Sequence, residues 1–268
     1  MYDFAGKTVL VTGGSMGIGA AFAHELARRG ARLVLVARSE DKLRALAATL
    51  AAHGTAVEVV AEDLAQPGAS RRVVAAVRAR GLEVDVLINN AGFAAYGPFT
   101  TVPLPTQREE IDLNVGALVE LTHLFLPEIE RRQGGVIQVA STAAFQAVPY
   151  MAVYAASKAF VLSFSEALWA EYRGRGVRIL ALCPGATDTP FFARAGEAAA
   201  FGKKATAEDV VRVGLKAFAA DRSHVVHGVS NYVTALSSRW FTREFVAKLS
   251  GRLMRPRAGK ELAGASQS

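Results

Sequence analysis

The 268-residue chain predicts an α/β fold: a doubly wound parallel sheet in a single domain. Three observations predict it. Short apolar runs alternate with amphipathic segments of helical length. The runs are continuous in Val, Leu and Ile, as strands buried on both faces must be, and the first of them feeds a glycine-rich turn that opens a helix. A content of 51% hydrophobic and 21% charged residues is that of a globular protein with a sizeable core.

The first unit is a strand near 7–12, the turn Thr12-Gly13-Gly14-Ser15-Met16-Gly17-Ile18-Gly19 and a helix near 17–30. A strand near 32–37, a helix near 40–53, a strand near 56–61, a helix near 68–80 and a strand near 84–89 continue the β-α-β rhythm. Helices near 104–115 and 117–132, a strand near 135–140, a long helix near 150–173 and a strand near 177–183 follow. Thr206 reads as an N-cap, with Glu208 and Asp209 in the first turn of a helix reaching about Ala220, and His224 to Gly228 reads as a last strand. Residues 1–230 would form the main domain, and residues 231–268 a basic helical extension and tail.

Chemistry enters at Tyr154 and Lys158, whose i,i+4 spacing puts a phenol and an ammonium on one helix face, with Ser141 thirteen positions earlier. A cation so placed favours the phenolate and draws a tyrosine pKa of about 10 toward neutrality, which makes an acid–base catalyst. The glycine turn lets the backbone approach a diphosphate at the positive end of a helix. Asn89-Asn90-Ala91-Gly92 and Cys183-Pro184-Gly185-Ala186-Thr187-Asp188-Thr189-Pro190 each follow an apolar strand. Right-handed crossovers bring all of these to one edge of the sheet, where ligands of open α/β folds bind. After the second strand, Ala37 removes the carboxylate that would hold a ribose 2′-hydroxyl and Arg38 supplies a cation for a 2′-phosphate, favouring NADP(H) over NAD(H).

Taken in order from about Lys7 to about Gly228, these elements resemble the short-chain dehydrogenase/reductases in their compact single-domain branch. The glycine spacing is G-x-x-x-G-x-G, Ala140 stands where many members carry a serine, and Ala143-Ala144 replaces a frequent small-Gly pair; none of these touches a group that does chemistry. The resemblance implies a Rossmann-fold catalytic domain over residues 1–230, with a substrate loop at about 190–205, and an oxidoreductase moving a hydride between NADP(H) and a carbonyl or alcohol. It implies Tyr154 as general acid, Lys158 as its electrostatic support and ribose ligand, Ser141 as hydrogen-bond donor to the carbonyl oxygen, and Asn114 as holder of a water in the proton relay. The implied cofactor contacts are Gly13, Ser15, Met16, Gly17, Ile18 and Gly19 for phosphate, and Arg38 for the 2′-phosphate. Asp63 and Leu64 would contact adenine, and Asn90, Ala91 and Gly92 follow the fourth strand. Pro184, Gly185, Thr187 and Thr189 complete the set, the last on the nicotinamide carboxamide.

Phe93, Tyr96, Phe145, Tyr150, Phe191 and Phe192 flank these motifs and suggest an apolar ketone, aldehyde or acyl-derived substrate. Of the formal charge of +7, six units lie between Arg239 and Lys260, where Phe241, Phe245, Leu249 and Leu253 form an i,i+4 stripe. The favoured expectation is a helix packed on the core or on a second subunit; peripheral membrane contact and an anionic acyl thioester are the less favoured uses of that charge. Nucleic-acid binding has no supporting motif. The five histidines have no metal-ligand spacing, and the single Cys183 suits a reducing cytoplasm. No secretory signal precedes the glycine turn, and the uncharged stretch 133–157 is broken by polar residues and proline, against a transmembrane span. The resemblance also implies a homodimer or homotetramer packed through the helices near 117–132 and 150–173. The rival readings are an NADP(H)-sensing binding protein without catalysis, and a nucleotide-sugar epimerase or dehydratase, which would need a larger substrate region than the chain offers after Pro190.

Overall fold

The computed structural model describes residues 2–191, 204–237 and 240–256. Its elements are β1 (Thr8–Thr12), α1 (Gly17–Arg28), β2 (Arg32–Ala37), α2 (Glu40–Ala51), β3 (Val57–Ala61), α3 (Ala69–Ala79) and β4 (Val86–Asn89). Then come α4 (Leu104–Ile111), a π-helical turn (Asp112–Ala117), α5 (Leu118–Arg131), β5 (Gly135–Val139), a 3₁₀ turn (Thr142–Phe145), α6 (Ala152–Tyr172) and β6 (Arg178–Cys183). The described chain closes with α7 (Ala207–Ala219), β7 (His224–Val226), α8 (Val229–Ser237) and α9 (Arg243–Leu253).

The strands form one sheet in the order β3-β2-β1-β4-β5-β6-β7, all pairs parallel. Strand residues point alternately to the two faces, and both faces are covered. Val9, Val11, Leu33, Leu35, Ile88 and Leu182 pack with residues of α1, α2 and α7. Leu10, Val34, Val36, Leu87, Val136 and Ile179 pack on the opposite side with α3 and α5, joined by Leu168 and Trp169 of α6. This two-sided burial explains why the strands carry no polar alternation. The strand order reverses between β1 and β4, opening a crevice at their carboxyl ends.

The helices expected near 104–115 and 117–132 are one continuous helical stretch, because the residues between them form the π turn instead of a break. A single i→i+5 turn inserts one residue without ending the helix. The boundary expected at residue 230 falls inside α8. Most of the expected substrate loop, residues 192–203, lies outside the described residues, as does the tail from residue 257.

Opposite the crevice, the buried carboxylate of Asp85 joins three elements. It accepts hydrogen bonds from the Thr8 N–H (2.8 Å) and from Arg132 Nε and Nη2 (2.9 and 3.1 Å), with Lys7 Nζ at 3.3 Å. Burial pushes its pKa up, but Arg132, the Thr8 amide and Lys7 outweigh that and hold it below the usual aspartate value. A depressed folded pKa contributes stability above the unfolded value of about 3.9, lost as pH falls through the folded one. Asp85→Asn should therefore lower stability by about 2–3 kcal/mol at pH 7, with the deficit shrinking below about pH 4, as read by urea unfolding at a series of pH values.

Candidate active site

A cavity of about 1160 Å³ runs along the carboxyl edge of the sheet. That exceeds the usual range of about 300–1,000 Å³ for one small ligand. After β1 it is lined by Gly13, Ser15, Met16, Gly17 and Ile18, and after β2 by Arg38. Asp63 and Leu64 follow β3, and Asn90, Ala91 and Gly92 follow β4. Ser141, Tyr154 and Lys158 line its centre; Pro184, Gly185, Thr187 and Thr189 follow β6. Five crossovers between parallel strands thus bring motifs up to about 175 residues apart to one groove.

The β1–α1 turn is built for close approach. Gly13 and Gly17 have φ of +62° and +56°, and a Cβ on Gly13 would lie 2.9 Å from Asn90 Nδ2. Thr12 Oγ1 accepts hydrogen bonds from the Asn90 and Ala91 N–H groups, both at 3.0 Å. Asn90 Nδ2 returns bonds to the Thr12 and Gly13 carbonyls at 2.9 and 3.2 Å. The turn is therefore stapled to β4, and α1 begins at Gly17 with no side chain capping its N-terminus toward the cavity. Such an edge fits the diphosphate of a dinucleotide. Gly19 does not line the cavity. It sits behind the turn, where a Cβ would lie 2.2 Å from the Gly13 carbonyl oxygen, so the absence of a side chain there lets the helix pack directly against the turn.

Arg38 also reaches Glu109 of α4 at 3.5 Å. The Asp63 carboxylate accepts from the Ala65 N–H at 3.2 Å, which shapes its turn. The β6 loop is held by Thr187 Oγ1 donating to the Gly185 carbonyl (3.0 Å) and by the Asp188 N–H donating to the Ala205 carbonyl (2.8 Å).

At the centre, Lys158 is 5% exposed and its Nζ donates to the Val139 carbonyl at the end of β5 (2.7 Å), tying α6 to the sheet. The Nζ lies 5.7 Å from the Tyr154 ring centre. The Tyr154 and Ser141 side chains are hydrogen-bonded, and Ser141 Oγ accepts from the Ala143 N–H at 3.1 Å. The expected drop in the Tyr154 pKa is not found. Burial pushes the phenol up to about 12, Ser141 opposes this, and the buried Glu110 reinforces it. Burial likewise pushes Lys158 down to about 8, against the opposing pull of Cys183 and Glu110. Desolvation of the charged form is the largest cause in each case and outweighs what opposes it, Ser141 for the phenol and Cys183 and Glu110 for the amine. Cys183 is buried and free, its thiol pushed up to about 12 by burial, so it is no nucleophile.

Asn114 sits behind the cavity wall in the π turn. Its Oδ1 accepts from the Phe93 N–H (3.1 Å), and its Nδ2 donates to the Phe93 carbonyl (2.9 Å) and Ser157 Oγ (3.2 Å). It clamps the π turn ahead of α5 to the Gly92–Phe93 loop. Of the aromatic residues expected to form the pocket, Phe93 and Phe191 line it, whereas Tyr96, Phe145 and Tyr150 do not, and Phe192 lies outside the described residues. Phe145 packs instead against His224. The apolar wall comes from the carboxyl-terminal segment: Phe241, Phe245, Val246, Leu249, Leu253 and Met254. The i,i+4 stripe in the sequence signalled an apolar face but not what it faces. Thr12, Glu110 and Asn231 were also not foreseen; a Cβ on Gly185 would lie 2.3 Å from Asn231 Nδ2, so α8 docks directly on the β6 loop.

A family model described as short chain dehydrogenase matches residues 7–200. The very-long-chain 3-oxoacyl-CoA reductase of Rattus norvegicus is 30% identical over 248 residues, covering 88% of this chain and 77% of the relative. A short chain dehydrogenase of Pseudocercospora fijiensis is 38% identical over 192 residues; the match spans 69% of this chain and 60% of that one. Among solved structures, a short-chain dehydrogenase from Sphingobium yanoikuyae in complex with NADPH superposes with a TM-score of 0.79 at 32% identity, covering 95% of this chain and 98% of the other. One from Burkholderia phymatum in complex with NAD also gives 0.79, at 27% identity, covering 88% and 93%.

Proposed function

The chain belongs to the short-chain dehydrogenase family, and from that premise we propose that it is an NADP(H)-dependent reductase of an apolar ketone, aldehyde or acyl-derived carbonyl, with Tyr154 as general acid. The observation that carries this reading is that Tyr154, Ser141 and Lys158 line the same cavity as the glycine turn and Arg38. A bound nicotinamide would supply the hydride. The turn from Gly13 to Ile18 would hold its diphosphate, Arg38 a 2′-phosphate, Asp63 and Leu64 the adenine, Asn90 to Gly92 and Lys158 the ribose, and Pro184, Gly185, Thr187 and Thr189 the carboxamide side.

Tyr154 holds its proton throughout the physiological range and donates it to the carbonyl oxygen as negative charge develops there. Ser141 donates a hydrogen bond to the same oxygen. Lys158, as the ammonium, stabilises the tyrosinate left behind and can return a proton to it, becoming the neutral amine until solvent reprotonates it; the Val139 carbonyl keeps it in place. The apolar wall of Phe93, Phe191, Phe245, Leu249 and Leu253 favours an apolar substrate over a small polar one. Phe160, exposed on α6 and stacked on Phe164, supports packing of a homodimer or homotetramer through α5 and α6.

Tyr154→Phe should retain NADPH binding by fluorescence titration and lose about 10²–10⁴-fold in kcat toward ketones; unchanged turnover removes Tyr154 from this role. Because the Lys158 ammonium is present below its pKa of about 8 and lost above it, kcat/KM for reduction should be flat below about pH 8 and fall roughly tenfold per unit above. Arg38→Ala should cut the NADPH-over-NADH ratio of kcat/KM by about 10–100-fold, the worth of a charge-assisted hydrogen bond; a constant ratio would assign the preference elsewhere.

A further inference from the structure

Helix α9 buries one side and leaves the other open. Ser250 and Met254 are buried, Tyr96 Oη donates to the Met254 carbonyl at 2.7 Å, and a Cβ on Gly251 would lie 3.2 Å from Pro149. This anchors the helix over the cavity, while Phe245, Leu249 and Leu253 sit half-exposed at its mouth. Phe241 packs against Phe245 with tilted rings, centroids 5.3 Å apart, and Trp240 beside it is 84% exposed. Across the mouth, Ser230 and Asn231 of α8 line the cavity, and the opposite face of that helix carries Val229, 82% exposed, with Tyr232 and Val233. So many large apolar side chains facing out around one opening are unusual for a free surface.

The charge around them has one sign. Arg243, Lys248, Arg252 and Arg255 lie on or beside α9 with Glu244 as the sole acid of that segment, and none of the four forms an ion pair with a described residue. Lys248 and Arg252 are one helical turn apart and border the Phe245–Leu249 face. A two-fold contact with a second copy would set these cations against their own kind, because an isologous interface pairs a patch with itself. Exposed tryptophan and tyrosine with apolar neighbours, fringed by unpaired lysine and arginine, match the headgroup region of an anionic bilayer. No described helix is long and apolar enough to cross a membrane, so the contact is peripheral.

We propose that α8, α9 and the Trp240–Phe241 segment between them form a docking face for an anionic lipid surface, with the mouth of the cavity turned toward the bilayer. Together with the reductase reading, on which this clause alone rests, the arrangement lets an apolar carbonyl compound pass from the lipid into the site without crossing water.

The test uses the full chain and vesicles, and needs no turnover, so it succeeds or fails independently of the reductase reading. Co-sedimentation with phosphatidylcholine vesicles containing about one-third phosphatidylglycerol should exceed that with phosphatidylcholine alone at least tenfold and be released at about 1 M salt, where the screening length is about 3 Å. Tryptophan emission should shift to the blue on binding, and the shift should vanish in Trp240→Phe. Lys248→Gln and Arg252→Gln should each weaken binding about fivefold, with an unchanged urea unfolding midpoint confirming that the variants are folded. Equal affinity for neutral vesicles, or no binding by the unmodified chain, overturns the proposal. So does a blue shift that grows with protein concentration in the absence of lipid, which would assign the face to a second copy.

Discussion

A parallel sheet covered on both faces can expose its polar turns only at its ends, and this constraint organises the whole molecule. The β strands are buried without polar alternation, so the groups that can bind or react gather where the chain leaves the sheet at its carboxyl edge. One hydrogen bond depends on that edge more than any other: Lys158 Nζ to the Val139 carbonyl, which joins the middle of α6 to the end of β5. It sets the turn of α6 that carries Tyr154 against the loop that carries Ser141. The opposite end of the sheet is closed by Asp85 and its cationic partners, a stabilising knot with no access to the cavity.

Burial also decides the electrostatics. In water, a phenol beside an ammonium should become more acidic. Here both groups are withdrawn from solvent, and the cost of removing each charged form from water dominates, so the phenol moves up and the amine down. A tyrosine that keeps its proton is suited to giving it to a carbonyl oxygen, and a lysine near neutrality is suited to exchanging one. The pairing expected from the spacing is present in the cavity, but the direction of both shifts is opposite to what the spacing alone suggests.

Much of this was legible in the chain itself. The glycine turn, the Asn90-Ala91-Gly92 turn and the Pro184–Thr189 loop each lie where the β-α-β rhythm places them, because strand and helix periodicity depends on local residue order. Gly19 and Asn114 belong to the same motifs but stand outside the cavity. The close approach of Gly19 to Gly13 and the Asn114 clamp on Phe93 are contacts between separate loops, which a local motif does not print. The aromatic residues near the motifs were a poor guide to the pocket for a related reason: neighbours in sequence point in different directions once strands and turns are formed.

By itself, the sequence determined the fold class, the order of the elements, the family and the set of side chains able to do acid–base work, since all of these are written in local patterns and their spacing. The three-dimensional structure alone decided the direction of the two pKa shifts, the continuity of α4 through the π turn into α5, and the use of the carboxyl-terminal segment as the apolar wall and mouth of the cavity. Those features depend on desolvation and on contacts between residues as distant as Tyr96 and Met254, quantities that exist only when the chain has closed on itself.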